Sequence, residues 1–228
     1  MTIKAVLLDL DDTLWPVAPV IRHAEAALQD WLQVHAPAVA KNYDMQTLRQ
    51  HKDDLVATNP RFQYDLWALR HALLSKVLAE HDEDVSKADQ AMAVFAHARN
   101  QVTLYEDVVP ALELLGGRVT LGTISNGFAD LGAIGLAAHF QVSIAAHSFG
   151  CAKPDPRIFH AACDALQLLP EQVLYVGDDL LLDVQGAQQA GLRGGWMNRH
   201  GKIPDQPALQ QIKPDAEFRH LHDLTQWL

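Results

Sequence analysis

The chain has 228 residues, 49% of them hydrophobic and 20% charged, so it can bury a sizeable core and is not a disordered segment. A formal net charge of −10 without a Lys/Arg cluster argues against nucleic acid and against docking by charge on an anionic membrane. Phosphorylated small molecules stay open, because a local cation inverts the field of a site.

The run IKAVLL at 3–8 is continuously apolar and stops at Asp9, which suits a strand buried on both faces of a parallel sheet. It is too short for a signal-peptide core or a membrane span. Residues 16 to about 104 then lose all strand signal. Ala24, Leu28 and Trp31 recur at helical spacing, as do Phe62, Leu66, Leu69, Leu73 and Val77, and Ala88, Ala91, Phe95, Ala98 and Val102. This predicts a block of about four helices inserted after the first strand. Asp107 is placed to cap a helix over VVPALELL, which Gly116-Gly117 ends. TLGTIS at 120–125, QVSIAA at 141–146, VLYVGDD at 173–179 and RGGWMN at 193–198 read as four more strands, with helices at 156–168 and over LLDVQGAQQAG between them. The Pro-rich stretch 201–215 reads as a surface connection before a short tail. The fold expected is α/β: a Rossmann-like parallel sheet core (1–15 and 105–228) with an inserted all-helical cap (16–104).

The strand ends carry the chemistry. Asp9, Asp11 and Asp12 follow the first strand, Ser125 and Asn126 the second, and Asp178 and Asp179 the fourth, with Asp183 shortly beyond. Ligands of open parallel sheets bind at these ends. Converging carboxylates repel, and a hard divalent cation such as Mg²⁺ is the usual remedy. Two carboxylates two positions apart can divide the work. One of Asp9 and Asp11 can attack phosphorus, while the other protonates the leaving oxygen and then activates water. The Thr13 hydroxyl is expected to order this turn. Ser125 offers a donor hydroxyl, with Asn126 beside it as a second candidate for binding phosphate. Lys153, in a loop opening a helix, offers a cation for the phosphate and the crowded acids.

DLDDT, TISNG, KPDPRIF and VGDDLLLDVQGA together resemble the four motifs of the haloacid dehalogenase-like (HAD) hydrolase superfamily. The resemblance implies Asp9 as nucleophile and, through its other oxygen, a Mg²⁺ ligand. It implies Asp11 as acid/base with its carbonyl on the metal, Ser125 and Lys153 as the phosphate-binding pair, Asp178 as the third metal ligand and Asp183 as a supporting acid. Dehalogenase members generally lack an acid at the position of Asp11, because a halide leaving group needs no proton; phosphatases need one. A closer similarity, reaching into the helical block through DLDDTLWPVAPVIRHAEAALQDWL and RFQYDLWALRHALL, is to bacterial phosphatases acting on flavin mononucleotide and on the ribitylamino-uracil phosphate of riboflavin synthesis. The expected activity is therefore Mg²⁺-dependent hydrolysis of a small phosphorylated metabolite. The rivals are a 2-haloacid dehalogenase and a non-catalytic phosphometabolite-binding protein.

The remaining candidates read blandly. Cys151 and Cys163 do not form a disulfide framework and suit a reducing, cytoplasmic setting. Most of the twelve histidines read as surface residues. Trp15-Pro16 reads equally as an entrance wall and as the hinge that starts the helical block. Arg22, Arg61 and Arg70 are cations of the helical block that could reach a second anionic group, though a solvated helix face is the commoner place for each.

Overall fold

The computed structural model describes residues 2–228, apart from the side chain of Asp53. Its centre is a six-stranded sheet: β1 (Ala5–Leu8), β2 (Thr120–Ser125), β3 (Val142–Ala145), β4 (Val173–Gly177), β5 (Arg193–Met197) and β6 (Ala216–Phe218), in the order β3-β2-β1-β4-β5-β6. All five pairings are parallel. The apolar runs explain the two central strands: all residues of β1 and β4 are buried, as strands covered on both faces must be. Strand order reverses between β1 and β4, where Leu8 pairs with Val176. Asp9 and Asp178 leave the sheet on either side of that reversal, where open α/β sheets bind ligands.

Two departures from the sequence reading lie at the C-terminal side. The segment after 201–215 is no mere tail: β6 extends the sheet, and a helix follows at Leu221–Trp227. Asp107 also does not cap Val108–Gly116 with its side chain. Its carboxylate instead receives Arg199 Nη1 at 3.0 Å and the Leu221 N–H at 2.5 Å, which ties that terminal helix to the core.

The chain divides into two compact units, 1–16 with 103–127 and 135–228, and 17–102 with 128–134. The second is all-helical: Val17–His35, Pro37–Asn42, Met45–Val56, Leu66–Glu80, Lys87–Arg99 and Leu131–Ile134, with a 3₁₀ turn at Pro60–Gln63. Leu28, Leu32, Leu74, Leu78, Met92 and Phe95 fill its core. Asp44 and Asp65 start two of its helices by accepting the N–H groups of Thr47 and Ala68. Residues 128–134, assigned to the core on sequence, group with this unit. Phe128 packs edge-on against Trp67, and the Asp130 N–H donates to Asn100. No helix of the described residues is long and apolar enough to cross a membrane.

Candidate active site

The β1 ladder runs one residue past the strand, the Asp9 N–H donating to Val176 O at 2.9 Å. The chain then turns tightly, with Leu14 N donating to Leu10 O at 2.7 Å. Asp12 takes the left-handed conformation (φ 57°) that acidic and amide side chains tolerate best, and its N–H donates to Trp15 O at 2.7 Å. The same tryptophan returns a second bond: its indole Nε1 donates to Asp11 Oδ1 at 2.8 Å. Trp15 is fully buried, so it is neither an entrance wall nor a bare hinge but the residue that orients Asp11. The Thr13 hydroxyl, expected to order the turn, is buried and finds no partner among the described residues. Backbone bonds and Arg199 Nε, donating to Thr13 O at 2.8 Å, tie the turn instead.

Ser125 closes β2 with its hydroxyl oxygen accepting the Gly127 N–H at 3.0 Å, which leaves its own proton to donate outward. Asn126, read on sequence as a phosphate binder, spends its amide on the chain: the Lys153 N–H donates to Oδ1 at 2.8 Å, and Nδ2 donates to Lys153 O at 3.1 Å. It is a positioning residue for Lys153.

Lys153 is the hub. Its buried ammonium donates to Asp9 Oδ1 at 2.5 Å, Asp183 Oδ1 at 2.7 Å and Tyr175 Oη at 2.7 Å, using all three protons. Burial alone would lower its pKa; the carboxylates of Asp183 and Asp9 outweigh that and hold it above the usual lysine value. Tyr175 passes its own proton to Ile124 O at 2.9 Å. Sequence reasoning missed this residue, although a tyrosine inside the apolar run VLYVG is a polar atom that must find a buried partner.

Asp183 accepts from Lys153 through one oxygen and from the Asp179 N–H, at 2.9 Å, through the other. Asp179 itself caps the turn Leu180–Gln185, accepting the N–H groups of Leu181 and Leu182. That turn is a π-helix and brings Asp183 back over the end of β4. Gly177 makes the approach possible, since a β-carbon there would meet Asp183 Oδ2 at 2.3 Å.

One carboxylate oxygen from each of Asp9, Asp178 and Asp183 lies within 4.8 Å of the other two. On sequence the metal falls to Asp9, Asp11 and Asp178; in the structure Asp183 joins the cluster with both oxygens already engaged. Burial, then the charges of Asp183, Asp12 and Asp179, pushes the Asp178 carboxyl up to about 7. Burial, with Asp183 and Asp11, likewise raises Asp9 well above the carboxylate range against the pull of Lys153. An all-oxygen donor set carrying charge that one lysine does not neutralise fits a hard divalent cation.

A family model described as haloacid dehalogenase-like hydrolase matches residues 3–191. The chain is 30% identical to the 5-amino-6-(5-phospho-D-ribitylamino)uracil phosphatase YigB of Escherichia coli, over 98% of this chain and 95% of that protein. It is 30% identical to a phosphoserine phosphatase of Thermus thermophilus over 97% of each. Among solved structures, a 2-haloacid dehalogenase from Pseudomonas syringae is similar with a TM-score of 0.91 and 38% identity over 100% of both chains. With four strand-end motifs gathered at one reversal of the sheet and a family model spanning most of its length, the chain belongs to the haloacid dehalogenase-like hydrolase family.

Proposed function

We propose that the protein is a Mg²⁺-dependent phosphomonoester hydrolase working through an aspartyl-phosphate on a small phosphorylated metabolite. The observation that carries this reading is Asp11, two residues after Asp9 and oriented by Trp15 at 2.8 Å. An enzyme that expels halide has no use for a positioned acid there; one that expels an alkoxide does. Asp9 and Asp178, backed by Asp183, would hold the Mg²⁺, which would neutralise their charge and that of the phosphoryl oxygens.

In the cycle we infer, a carboxylate oxygen of Asp9 bonds to phosphorus as the ester P–O bond breaks, and the leaving oxygen takes its proton from Asp11. Ser125 donates its free proton to a phosphoryl oxygen, and the Lys153 charge lies beside the same group. Asp11, now a carboxylate, removes a proton from water. The water oxygen bonds to phosphorus, the bond to Asp9 breaks, and inorganic phosphate leaves. Lys153, already on Asp9 Oδ1, keeps the nucleophile fixed and favours its ionised form.

The likeness to YigB supports a substrate of the ribitylamino-uracil phosphate kind, the sequence resemblance adds flavin mononucleotide, and a cytoplasmic location agrees with such metabolites. A second reading, hydrolysis of 2-haloacids, is favoured by the 38% identity to the Pseudomonas syringae protein. One panel separates them: p-nitrophenyl phosphate, flavin mononucleotide, phosphoserine and sugar phosphates with Mg²⁺, and 2-chloropropionate without it. Phosphate release that vanishes in Asp9→Asn is expected. Halide release with no phosphate release would replace this reading by the second.

A further inference from the structure

The helical unit encloses a cavity of about 270 Å³, just under the range of about 300–1,000 Å³ that small-molecule sites span. Its walls include Ile21, Leu28, Leu48, Leu73 and Leu74. Set into them are three cations, Arg49, Lys52 and Arg70, against one carboxylate, Glu25, in a chain whose net charge is −10. Glu25 is taken: Arg49 grips both of its oxygens.

Arg70 is the anomaly. On sequence it is a helix-face cation that is solvated or reaches a second anionic group; in the structure it is half-buried, its Nε is sealed from water without a partner, and its guanidinium forms no hydrogen bond or ion pair among the described residues. Burial pulls its pKa down to about 10, with the charge of Glu25 resisting. The guanidinium does stack on Phe95, 3.8 Å from the ring centroid. A cation–π contact is worth about 0.5–2 kcal/mol and supplies no acceptor to the guanidinium N–H groups, which lie at the wall of the cavity. The apolar walls alone would be better served by Leu or Met at this position. Unpaired arginine in an apolar chamber is the chemistry that recognises an amphipathic anion.

We propose that this cavity is a binding site for a small amphipathic carboxylate, an apolar body the size of one aromatic ring with a single carboxylate that pairs with Arg70. The proposal does not rest on phosphate hydrolysis, and its test involves none.

The full chain is titrated calorimetrically with 3-phenylpropionate in the absence of Mg²⁺ and phosphoester. Saturable one-to-one binding is expected. 3-Phenylpropanol, which lacks the charge, and acetate, which lacks the ring, should each bind at least about tenfold more weakly, a difference of about 1.4 kcal/mol. Arg70→Met should erase the preference for acid over alcohol. Leu66→Trp, at the half-open rim where Leu66 is 39% exposed, should abolish binding of both. Absence of saturable binding up to about 20 mM, a ΔG of only about −2.3 kcal/mol, would overturn the proposal. So would equal affinity for acid and alcohol, or an undiminished preference in Arg70→Met. If Arg70→Met does not fold, Leu66→Trp decides, and retained binding of 3-phenylpropionate overturns the site. Asp9→Asn should bind 3-phenylpropionate as the native chain does, so failure of the hydrolase reading leaves this result intact.

Discussion

Asn126 holds Lys153 by both backbone groups, accepting from its N–H at 2.8 Å and donating to its carbonyl at 3.1 Å. The end of β2 therefore aims a lysine that lies 27 positions later at the carboxylate that ends β1. Asn126→Ala should lower kcat for p-nitrophenyl phosphate by about 10–100-fold with a smaller change in KM, since displacement of a catalytic group by about 1 Å costs that much. Unfolding in urea should show a loss of about 1–3 kcal/mol from the two backbone groups left unpaired. A variant with native kcat would remove Asn126 from the machinery.

Lys153 neutralises two buried acids, so deleting it should cost more than deleting either acid. Lys153→Met should destabilise by about 3–5 kcal/mol, the usual loss when one partner of a buried ion pair goes. Adding Asp183→Asn to Lys153→Met should recover part of that loss, because one stranded charge disappears with it. The denaturation midpoints of the two variants decide: no recovery in the double variant would mean that Asp183 is not held by this charge.

Gly177 is bound to its hydrogen atom by Asp183. Gly177→Ala would place a β-carbon 2.3 Å from Asp183 Oδ2 and 2.4 Å from its Cγ. Overpacking of this kind costs about 1–3 kcal/mol. The carboxylate should move off Lys153, and activity should fall together with the melting temperature. Native stability and turnover in Gly177→Ala would refute this fit.

Most of the sheet and the gathering of acids at its strand ends were legible in the sequence, because strands buried on both faces must be apolar throughout and acids that interrupt them stand out. β6 was not legible. Three residues with Glu217 exposed in the middle carry no run, and only pairing with β5 makes them a strand. Trp15, Asn126 and Tyr175 were present in the quoted motifs, but their partners lie at Asp11, Lys153 and Ile124, and no periodicity announces such pairings. Arg70 fell on a helical stripe position between apolar neighbours and still read as a surface cation, since charge alone does not reveal which face of a helix is covered.

The acidic cluster predicts how the protein answers metal. Mg²⁺ should raise the melting temperature and EDTA should reverse the rise. Asp178→Asn removes a carboxylate whose ionised form is disfavoured by burial and by Asp183. At pH 8 it should therefore melt above the metal-free native protein while losing the response to Mg²⁺. A chain of this length shifts by about 2–4 °C per kcal/mol, within reach of differential scanning calorimetry. An undiminished Mg²⁺ response in Asp178→Asn would place the metal elsewhere.

Acid should act through Asp107. Burial pushes its carboxyl up, but hydrogen bonds from Arg199 and the Leu221 N–H, with the Arg199 charge, prevail and hold it below its usual value. A depressed folded pKa contributes stability that is present in full above the unfolded value of about 3.9 and lost as pH falls through the lower folded value. Asp107→Asn should thus lower the melting temperature at pH 7 and narrow its gap to the native chain between about pH 4 and pH 2. A gap that stays constant over that range would exclude this pair as an acid-sensitive tie.

The order β3-β2-β1-β4-β5-β6 has a consequence for biosynthesis. β1 is made first and occupies the middle, yet its neighbours begin at Thr120 and Val173, and the cation for Asp9 lies 144 positions downstream. At about 5–20 residues per second, roughly 7–30 s separate the synthesis of Asp9 from that of Lys153. Until Thr120–Ser125 is made, AVLL remains a strand without a sheet, and the helical unit, whose long helices are local in sequence, is free to fold ahead of it.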